Sequence, residues 1–389
     1  MKRPLLYIVA LLATGVLACA GWLAARYHDA YLVVSHLAAA GAESRLEQSS
    51  APPSRTTIQY TIEGRTGSAD LYLPVDGAPR AGIVLIPGAV AEGKDDKRLV
   101  RLAQALARVR FAVLTPDLSG YRELEIRTAQ VTEVADAFRY LADHEQLSPG
   151  GRVGFAAFSL AAGPAILAAL EEDLRDRVRF IFAVGAYHDL RLTIRYFTTG
   201  HFELDGEPRY RKPSDYARIV FARTMLDHLS DPNDRAIIDA MINAKVESFD
   251  ADISGLASGL SPEGQSLYRL LTNTNPDVAL ELIDALPRES IALIDGLTLA
   301  DKDLRELPVR FILVHGKTDP LIPYSESIAL SRAAAPSHTR IFIIDRLLEH
   351  VELKPSDVLT ARFWTEELPD AKRVLDAVTA LLDEREDEG

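Results

Sequence analysis

A serine between an apolar strand and a small-residue helix constrains the fold of this chain more than any other feature. In the segment RVGFAAFSLAAG, the run Val153–Phe158 has the length and apolar character of a buried strand. The alanine-rich stretch that starts at Leu160 is typical of a helix with an apolar face. Ser159 lies where the strand must turn sharply into the helix, and Ala157 and Ala161 keep that turn narrow. Such a turn lifts the serine off the sheet edge and points free backbone N–H groups at any negative charge formed beside it.

Strand and helix patterns alternate on both sides of this serine, and helical periodicity separates most of the apolar runs. The predicted buried strands are Ala81–Ile86, Phe111–Thr115, Val153–Phe158, Phe180–Val184, Val309–His315 and Arg340–Ile344, with an edge hairpin over Thr57–Glu63 and Ser68–Pro74. This alternation predicts an α/β fold whose doubly wound sheet is mostly parallel and covered by helices on both faces. Functional sites in such sheets lie at the carboxyl ends of the strands.

Between Leu190 and Leu307 the strand pattern stops. Helix-start signals replace it, with proline at a first helical position after Asp231, Ser261 and Asn275. A segment of this length is too long for a loop. We therefore predict a helical cap over residues 190–307, inserted into a sheet-containing core over residues 56–189 and 308–385.

Composition excludes several classes of function. The net charge is −13 and no basic stripe offsets it, so nucleic acid is not an expected partner. Cys19 is the one cysteine in the sequence, which leaves no internal disulfide and no cysteine-based metal site. Neither a phosphate-binding glycine loop nor a metal-binding histidine motif is present. We expect no cofactor and no metal, and the sequence gives no indication of the oligomeric state.

The N-terminus carries a membrane signal. A charge-free run from Leu5 to Ala25 follows a basic head at residues 1–3, and at about 1.5 Å per residue it is long enough to cross a bilayer. The charge distribution places the N-terminus in the cytoplasm and the remaining chain on the extracytoplasmic side, periplasmic or extracellular. Residues 26–55 resemble a stalk that ends in a linker, QSSAPPS, so the folded domain should begin near Thr56.

Three interpretations of residues 1–25 stay open. An uncleaved signal anchor is favoured by the apolar run that continues to Ala25. A lipoprotein signal ending in Leu17-Ala18-Cys19 would be acylated at Cys19. Ordinary cleavage near Ala18 or Ala20 is the third.

Two later residues complete a set suited to nucleophilic catalysis. A serine hydroxyl needs a base within hydrogen-bond reach, and the base needs an acid that holds its tautomer. Asp319 follows the strand RFILVHG, and His350 follows the strand RIFIID. Both should therefore lie at the same sheet edge as Ser159. Asp189, after the strand FIFAVGAYHD, is the competing acid.

These motifs resemble those of the α/β-hydrolase superfamily, on its dienelactone-hydrolase and esterase side. The likeness rests on AFSLA, HGKTDPLIP and LLEH, and on IPGAV, which is similar to the oxyanion loop with Pro87 where histidine is commoner. Alanines stand at the two elbow positions where glycine is usual. The resemblance implies Ser159 as nucleophile, His350 as base and Asp319 as the orienting acid. It also implies an oxyanion hole made by the backbone N–H groups of Ala89 and Leu160.

The expected function is therefore a serine hydrolase that forms an acyl-enzyme, with a small-molecule carboxylic ester as substrate and the N-terminal helix in the membrane. A peptidase or acyltransferase with the same residues is the alternative, as is a hydrolase-fold envelope protein without catalysis. Three aromatic residues near the cap, Tyr187, Tyr196 and Phe197, line the substrate pocket or pack in the core, and His188 and His315 are interpreted as packing or pocket residues.

Overall fold

An eight-stranded sheet runs through the protein, in the order β1-β2-β4-β3-β5-β6-β9-β10. The computed structural model describes residues 21, 23–39, 42–353 and 362–386. The strands are β1 Ser54–Ile62, β2 Arg65–Leu73, β3 Ala81–Ile86, β4 Phe111–Pro116, β5 Val153–Phe158, β6 Phe180–Val184, β7 His201–Leu204, β8 Glu207–Tyr210, β9 Arg310–Gly316, β10 Thr339–Ile344, β11 Leu348–Glu349 and β12 Glu352–Leu353. Strands β3, β4, β5, β6, β9 and β10 pair in parallel, and the edge hairpin β1–β2 is antiparallel.

Helices cover both faces of the sheet. They are α1 (residues 23–38), α2 Arg45–Ser49, α3 Lys97–Arg108, α4 Ala129–Ala142, α5 Ala162–Ala168, α6 Leu190–Thr199, α7 Asp215–Leu226, α8 Pro232–Glu247, α9 Pro262–Thr272, α10 Ala279–Asp284, α11 Arg288–Leu297, α12 Tyr324–Ala333 and α13 Leu368–Asp383. One face packs against α1, α3 and α13, and the other against α4, α5 and the segment between β6 and β9. The predicted doubly wound α/β architecture is confirmed.

The central strands are buried because both of their faces meet helices. Every residue of β3, β4 and β6 is buried, which explains why these strands are continuous apolar runs in the sequence. The bounds of β3, β5 and β6 are those predicted from the apolar runs.

The segment between β6 and β9 is mostly helical, and its apolar residues belong to one buried cluster with the sheet residues beneath it. Two details differ from the prediction. A short antiparallel hairpin, β7–β8, follows α6. Pro276 does not begin a helix, because the side chain of Asn275 accepts a hydrogen bond from Asp277 N at 3.0 Å and closes a turn; α10 starts at Ala279.

The predicted stalk packs on the core. Ala30, Leu32 and Val33 of α1 are buried against α3 and α13, and the Tyr27 hydroxyl donates a hydrogen bond to Asp376 Oδ1 at 2.7 Å. The boundary near Thr56 therefore differs from the structure, in which ordered packing begins within α1. The linker composition misled the prediction because it marks a loop inside the folded unit.

The predicted membrane segment, Leu5 to Ala25, lies mostly outside the described residues and stays a prediction. Among the helices that the structure describes, none is both long enough and apolar enough for a membrane crossing.

Candidate active site

Ser159 occupies a strained turn at the carboxyl end of β5. Its φ of 57° lies in the left-handed region, which residues other than glycine seldom adopt. A single 3₁₀ turn over Ser159–Ala161 connects β5 directly to α5. Ala157 and Ala161 are fully buried, so larger side chains at these positions have no room. The local sequence thus produces a sharp elbow that presents the serine at the sheet edge.

Asp319 lies in the turn after β9, and the residue is 2% exposed. Oδ1 accepts hydrogen bonds from the backbone N–H groups of Leu321 at 2.7 Å and Ile322 at 3.0 Å. Oδ2 lies 2.8 Å from Nδ1 of His350. The backbone bonds fix the carboxylate so that its second oxygen faces the imidazole.

His350 sits in the turn of the small hairpin β11–β12, again with a left-handed φ, of 50°. The sequence indicated only a loop here. Gly185, at the end of β6, lies directly against the His350–Asp319 pair. A Cβ atom on Gly185 would come within 3.4 Å of His350 Nδ1 and 3.5 Å of Asp319 Oδ2, and its φ of 67° also favours glycine.

A second histidine contacts the same carboxylate. His315 Nε2 lies 3.2 Å from Asp319 Oδ2 and 3.0 Å from the carbonyl of Ile322, so this nitrogen carries a proton. Its Nδ1 is 2.7 Å from the hydroxyl of Ser327. Burial raises the pKa of Asp319, but the charges and hydrogen bonds of His350 and His315 outweigh it, and the net pKa lies below the usual carboxyl value. Asp319 is therefore ionised.

The loop that resembles an oxyanion hole lies beside the serine. A Cβ atom built on Gly88 would be 3.6 Å from the Cβ of Ser159. Ala89 and Leu160 line the same cavity as the serine. The hydroxyl of Tyr216, from α7 of the cap, donates a hydrogen bond to the carbonyl of Ala89 at 3.0 Å. The cap thus touches the backbone of this loop directly.

Ser159 and His350 open into one cavity of about 1010 Å³ between the sheet edge and the cap. The cap residues that line it are Leu190, Thr193, Phe197, Ser214, Tyr216, Ala217, Val220, Phe221, Thr224, Met225, Leu293, Ile294 and Leu297. No hydrogen bond joins Ser159 to His350 among the residues described. In unliganded enzymes this bond is often long and tightens with substrate. The described residues contain no cluster of metal-ligating side chains.

The competing acid has another role in the structure. Asp189 caps α6, and its side chain accepts from the backbone N–H groups of Arg191 at 2.8 Å and Leu192 at 3.2 Å. The imidazole of His350 thus meets Asp319 instead of Asp189.

The aromatic candidates divide between pocket and core. Tyr187 and Phe197 line the cavity. Tyr187 also donates a hydrogen bond to the carbonyl of Leu297 at 2.7 Å, which ties α11 of the cap to the core. Tyr196 is fully buried, and its hydroxyl donates to the carbonyl of Asp319 at 2.7 Å, so it supports the acid.

Glu326 is a functional candidate that the sequence did not indicate. It is 4% exposed on α12, and its carboxylate accepts from the backbone N–H groups of His188 at 3.0 Å and Asp189 at 2.7 Å. Burial raises its pKa to about 7, despite these two donors, which lower it. A glutamate in a helix is usually solvated. The local sequence therefore does not indicate that this one is buried and bonded to the backbone where the cap begins.

A scan against protein-family models and a search of curated proteins give no match. Among solved structures, a provisionally assigned hydrolase from Legionella pneumophila aligns with a TM-score of 0.54, at 12% identity over 86% of this chain and 88% of that one. An esterase from Pyrobaculum calidifontis gives 0.44, at 14% identity over 92% of this chain and 90% of its own. The esterase domain of a Rhodothermus marinus protein gives 0.42, at 15% identity over 85% and 99%.

The last two TM-scores are too low to establish a shared fold. The first likeness, at 12% identity, concerns the fold alone. Together with the mostly parallel sheet and its flanking helices, it shows an α/β-hydrolase fold.

Proposed function

We propose, from this fold and from the residues assembled at its sheet edge, that the protein is a serine hydrolase of carboxylic esters. The observation that carries the proposal is the contact between His350 and the buried Asp319, with 2.8 Å between Nδ1 and Oδ2, together with the position of His350 in the same cavity as the strained Ser159. A buried, ionised carboxylate on Nδ1 leaves Nε2 of the imidazole free to accept the serine proton.

The reaction would follow from these positions. The Ser159 oxygen attacks the ester carbonyl while His350 takes its proton, and the backbone N–H groups of Ala89 and Leu160 stabilise the oxyanion, typically by about 3 kcal/mol for each donor. His350 then returns the proton to the leaving alcohol, and the acyl group remains on Ser159. Water, activated by the same imidazole, releases the acid.

The test is covalent labelling with a fluorophosphonate probe, followed by hydrolysis of p-nitrophenyl esters and of matching amides. The wild-type protein and Ser337→Ala, which removes an exposed hydroxyl, should both label and cleave esters. Ser159→Ala should do neither. Labelling that survives in Ser159→Ala would contradict the proposal. Cleavage of amides at rates comparable with esters would instead indicate a peptidase, and transfer to an added alcohol in place of water an acyltransferase.

We also propose that the domain works on the extracytoplasmic side of a membrane. The support is the charge-free run from Leu5 to Ala25 behind a basic head. The full-length protein should sediment with membranes, and external protease should reach the domain in spheroplasts. Recovery of the full-length protein in the cytoplasmic fraction would contradict this. Loss of a lipid mass shift in Cys19→Ala would distinguish a lipoprotein from a plain anchor.

A further inference from the structure

The two walls of the active-site cavity differ in chemistry. The wall made by the cap residues 190–307 carries no charged side chain among the described residues that line the cavity. Its apolar members include Phe197, Val220, Met225 and Ile294, which are between 1% and 5% exposed. Because these side chains border open volume while shielded from water, apolar ligand groups gain free energy by occupying that volume.

All the charged residues that the structure places around the cavity belong to the part of the lining outside the cap, which we call the charged wall. They are Glu92, Asp96, Arg98, Arg101, Glu349 and Glu352. Arg98 forms an ion pair with Glu352, and the two side chains are 56% and 61% exposed. At Arg98 and Glu352 this wall therefore faces solvent, where polar ligand groups keep their hydration.

The position of His350 orients an ester between these walls. In acyl-enzyme chemistry, the imidazole that deprotonates the serine also protonates the leaving alcohol, so the alcohol must lie on the histidine side. His350 is in the turn of β11–β12, between Glu349 and Glu352 of the charged wall. The acyl group lies on the other side of the carbonyl carbon, away from the imidazole.

We infer that the substrate is an ester of a long or bulky apolar carboxylic acid with a small or polar alcohol. The apolar acyl group binds against the cap, and the alcohol leaves past His350 toward the charged wall. This inference rests on the proposed ester hydrolysis and adds the identity of the two halves of the substrate.

Two isomeric esters test the orientation. Ethyl octanoate carries its chain on the acyl side, and octyl acetate carries the same chain on the alcohol side. Since each buried methylene contributes about 0.8 kcal/mol, kcat/KM should be at least about tenfold higher for ethyl octanoate. Equal values, or a preference for octyl acetate, would overturn the inference.

A variant of the cap wall tests where the chain binds. Ala217, on α7, lines the cavity, whereas Ala240, on α8, is exposed outside it. Ala217→Leu should lower kcat/KM about tenfold more for p-nitrophenyl octanoate than for p-nitrophenyl acetate. Ala240→Leu should change neither. An equal loss on both esters would overturn the placement of the acyl chain.

These outcomes separate the inference from the proposed function. Hydrolysis of acetate esters with no gain from a longer acyl chain would overturn the inference and leave the serine hydrolase intact. Absence of both ester hydrolysis and fluorophosphonate labelling in the wild-type protein would overturn the two together.

Discussion

Ser159 and His350 both adopt left-handed backbone conformations, with φ values of 57° and 50°. Such conformations cost about 1–3 kcal/mol each in residues other than glycine, and they persist only where the surrounding structure imposes them. Here the imposing elements are the β5–α5 elbow and the β11–β12 hairpin. At the scale of single residues, the site combines this strain with an acid held in place by Leu321, Ile322 and His350.

The roles proposed for Ser159, His350 and Asp319 predict different losses of activity when each residue is replaced. Ser159→Ala should abolish acyl-enzyme formation, and His350→Ala should lower kcat by a similar factor, since nucleophile and base act as one unit. Asp319→Asn should lower kcat by about ten-thousandfold or less, because it orients the imidazole without reacting. Steady-state kinetics of the purified variants measure these factors. Full activity in Asp319→Asn together with inactivity in Asp189→Asn would assign the acid to Asp189.

Glu326 should make stability depend on pH. Its folded-state pKa of about 7 lies above the unfolded value of about 4.3, so its contribution is fully present below about pH 4 and is lost as the pH rises through about 7. Relative to Glu326→Gln, the wild-type free energy of unfolding should fall by on the order of 3 kcal/mol between about pH 4 and pH 8.

Urea denaturation at several pH values measures this difference. Glu281→Gln, which alters an exposed carboxyl on α10, should follow the wild-type profile. Parallel profiles for wild type and Glu326→Gln would show that burial does not raise the pKa of the Glu326 carboxyl.

At the scale of elements, hydrogen bonds connect the cap to the loops that carry the candidate site residues. The hydroxyl of Tyr216 in α7 donates a hydrogen bond to the carbonyl of Ala89. The hydroxyl of Tyr187 in the core donates one to the carbonyl of Leu297 in α11. The carboxylate of Glu326 in α12 accepts hydrogen bonds from the backbone N–H groups that follow β6, where the chain enters the cap. Movement of the cap would therefore displace the loop that contains Ala89.

Tyr216→Phe should separate kcat from KM. The substitution keeps the aromatic ring in the cavity but removes the hydrogen bond to Ala89, which is worth about 1 kcal/mol. A loosened loop stabilises the oxyanion less, so kcat should fall about three- to tenfold with KM nearly unchanged. Tyr210→Phe, at an exposed position of β8, is the matched control. A rise in KM at constant kcat would mean that Tyr216 acts through substrate binding alone.

At the scale of the whole molecule, α1 is part of the folded unit. It buries Ala30, Leu32 and Val33 and places Leu37 on the wall of the active-site cavity. Arg385, near the end of the described chain, pairs with Asp29 at 3.0 Å. The two ends of the described chain therefore meet on one face of the sheet.

Removal of residues 1–55 should destabilise the domain. A chain that begins at Thr56 lacks the buried side chains of Leu32, Val33 and Leu46, each of which contributes about 1.5–3 kcal/mol. Its free energy of unfolding should be lower by about 4 kcal/mol or more than that of a chain beginning at Gly21. Denaturant titration of the two proteins measures this. Equal midpoints would restore the interpretation of residues 26–55 as a stalk.

The sequence by itself determined the fold class, the positions of most strands and the order Ser159, Asp319, His350 along the sheet edge. It could do so because buried parallel strands are continuous apolar runs, and because the carboxyl ends of such strands share one edge. Only the tertiary structure placed His350 against Asp319 rather than Asp189, docked α1 on the core and brought Tyr216 to Ala89. Each of these depends on contacts between residues far apart in the chain, which local composition and periodicity do not record.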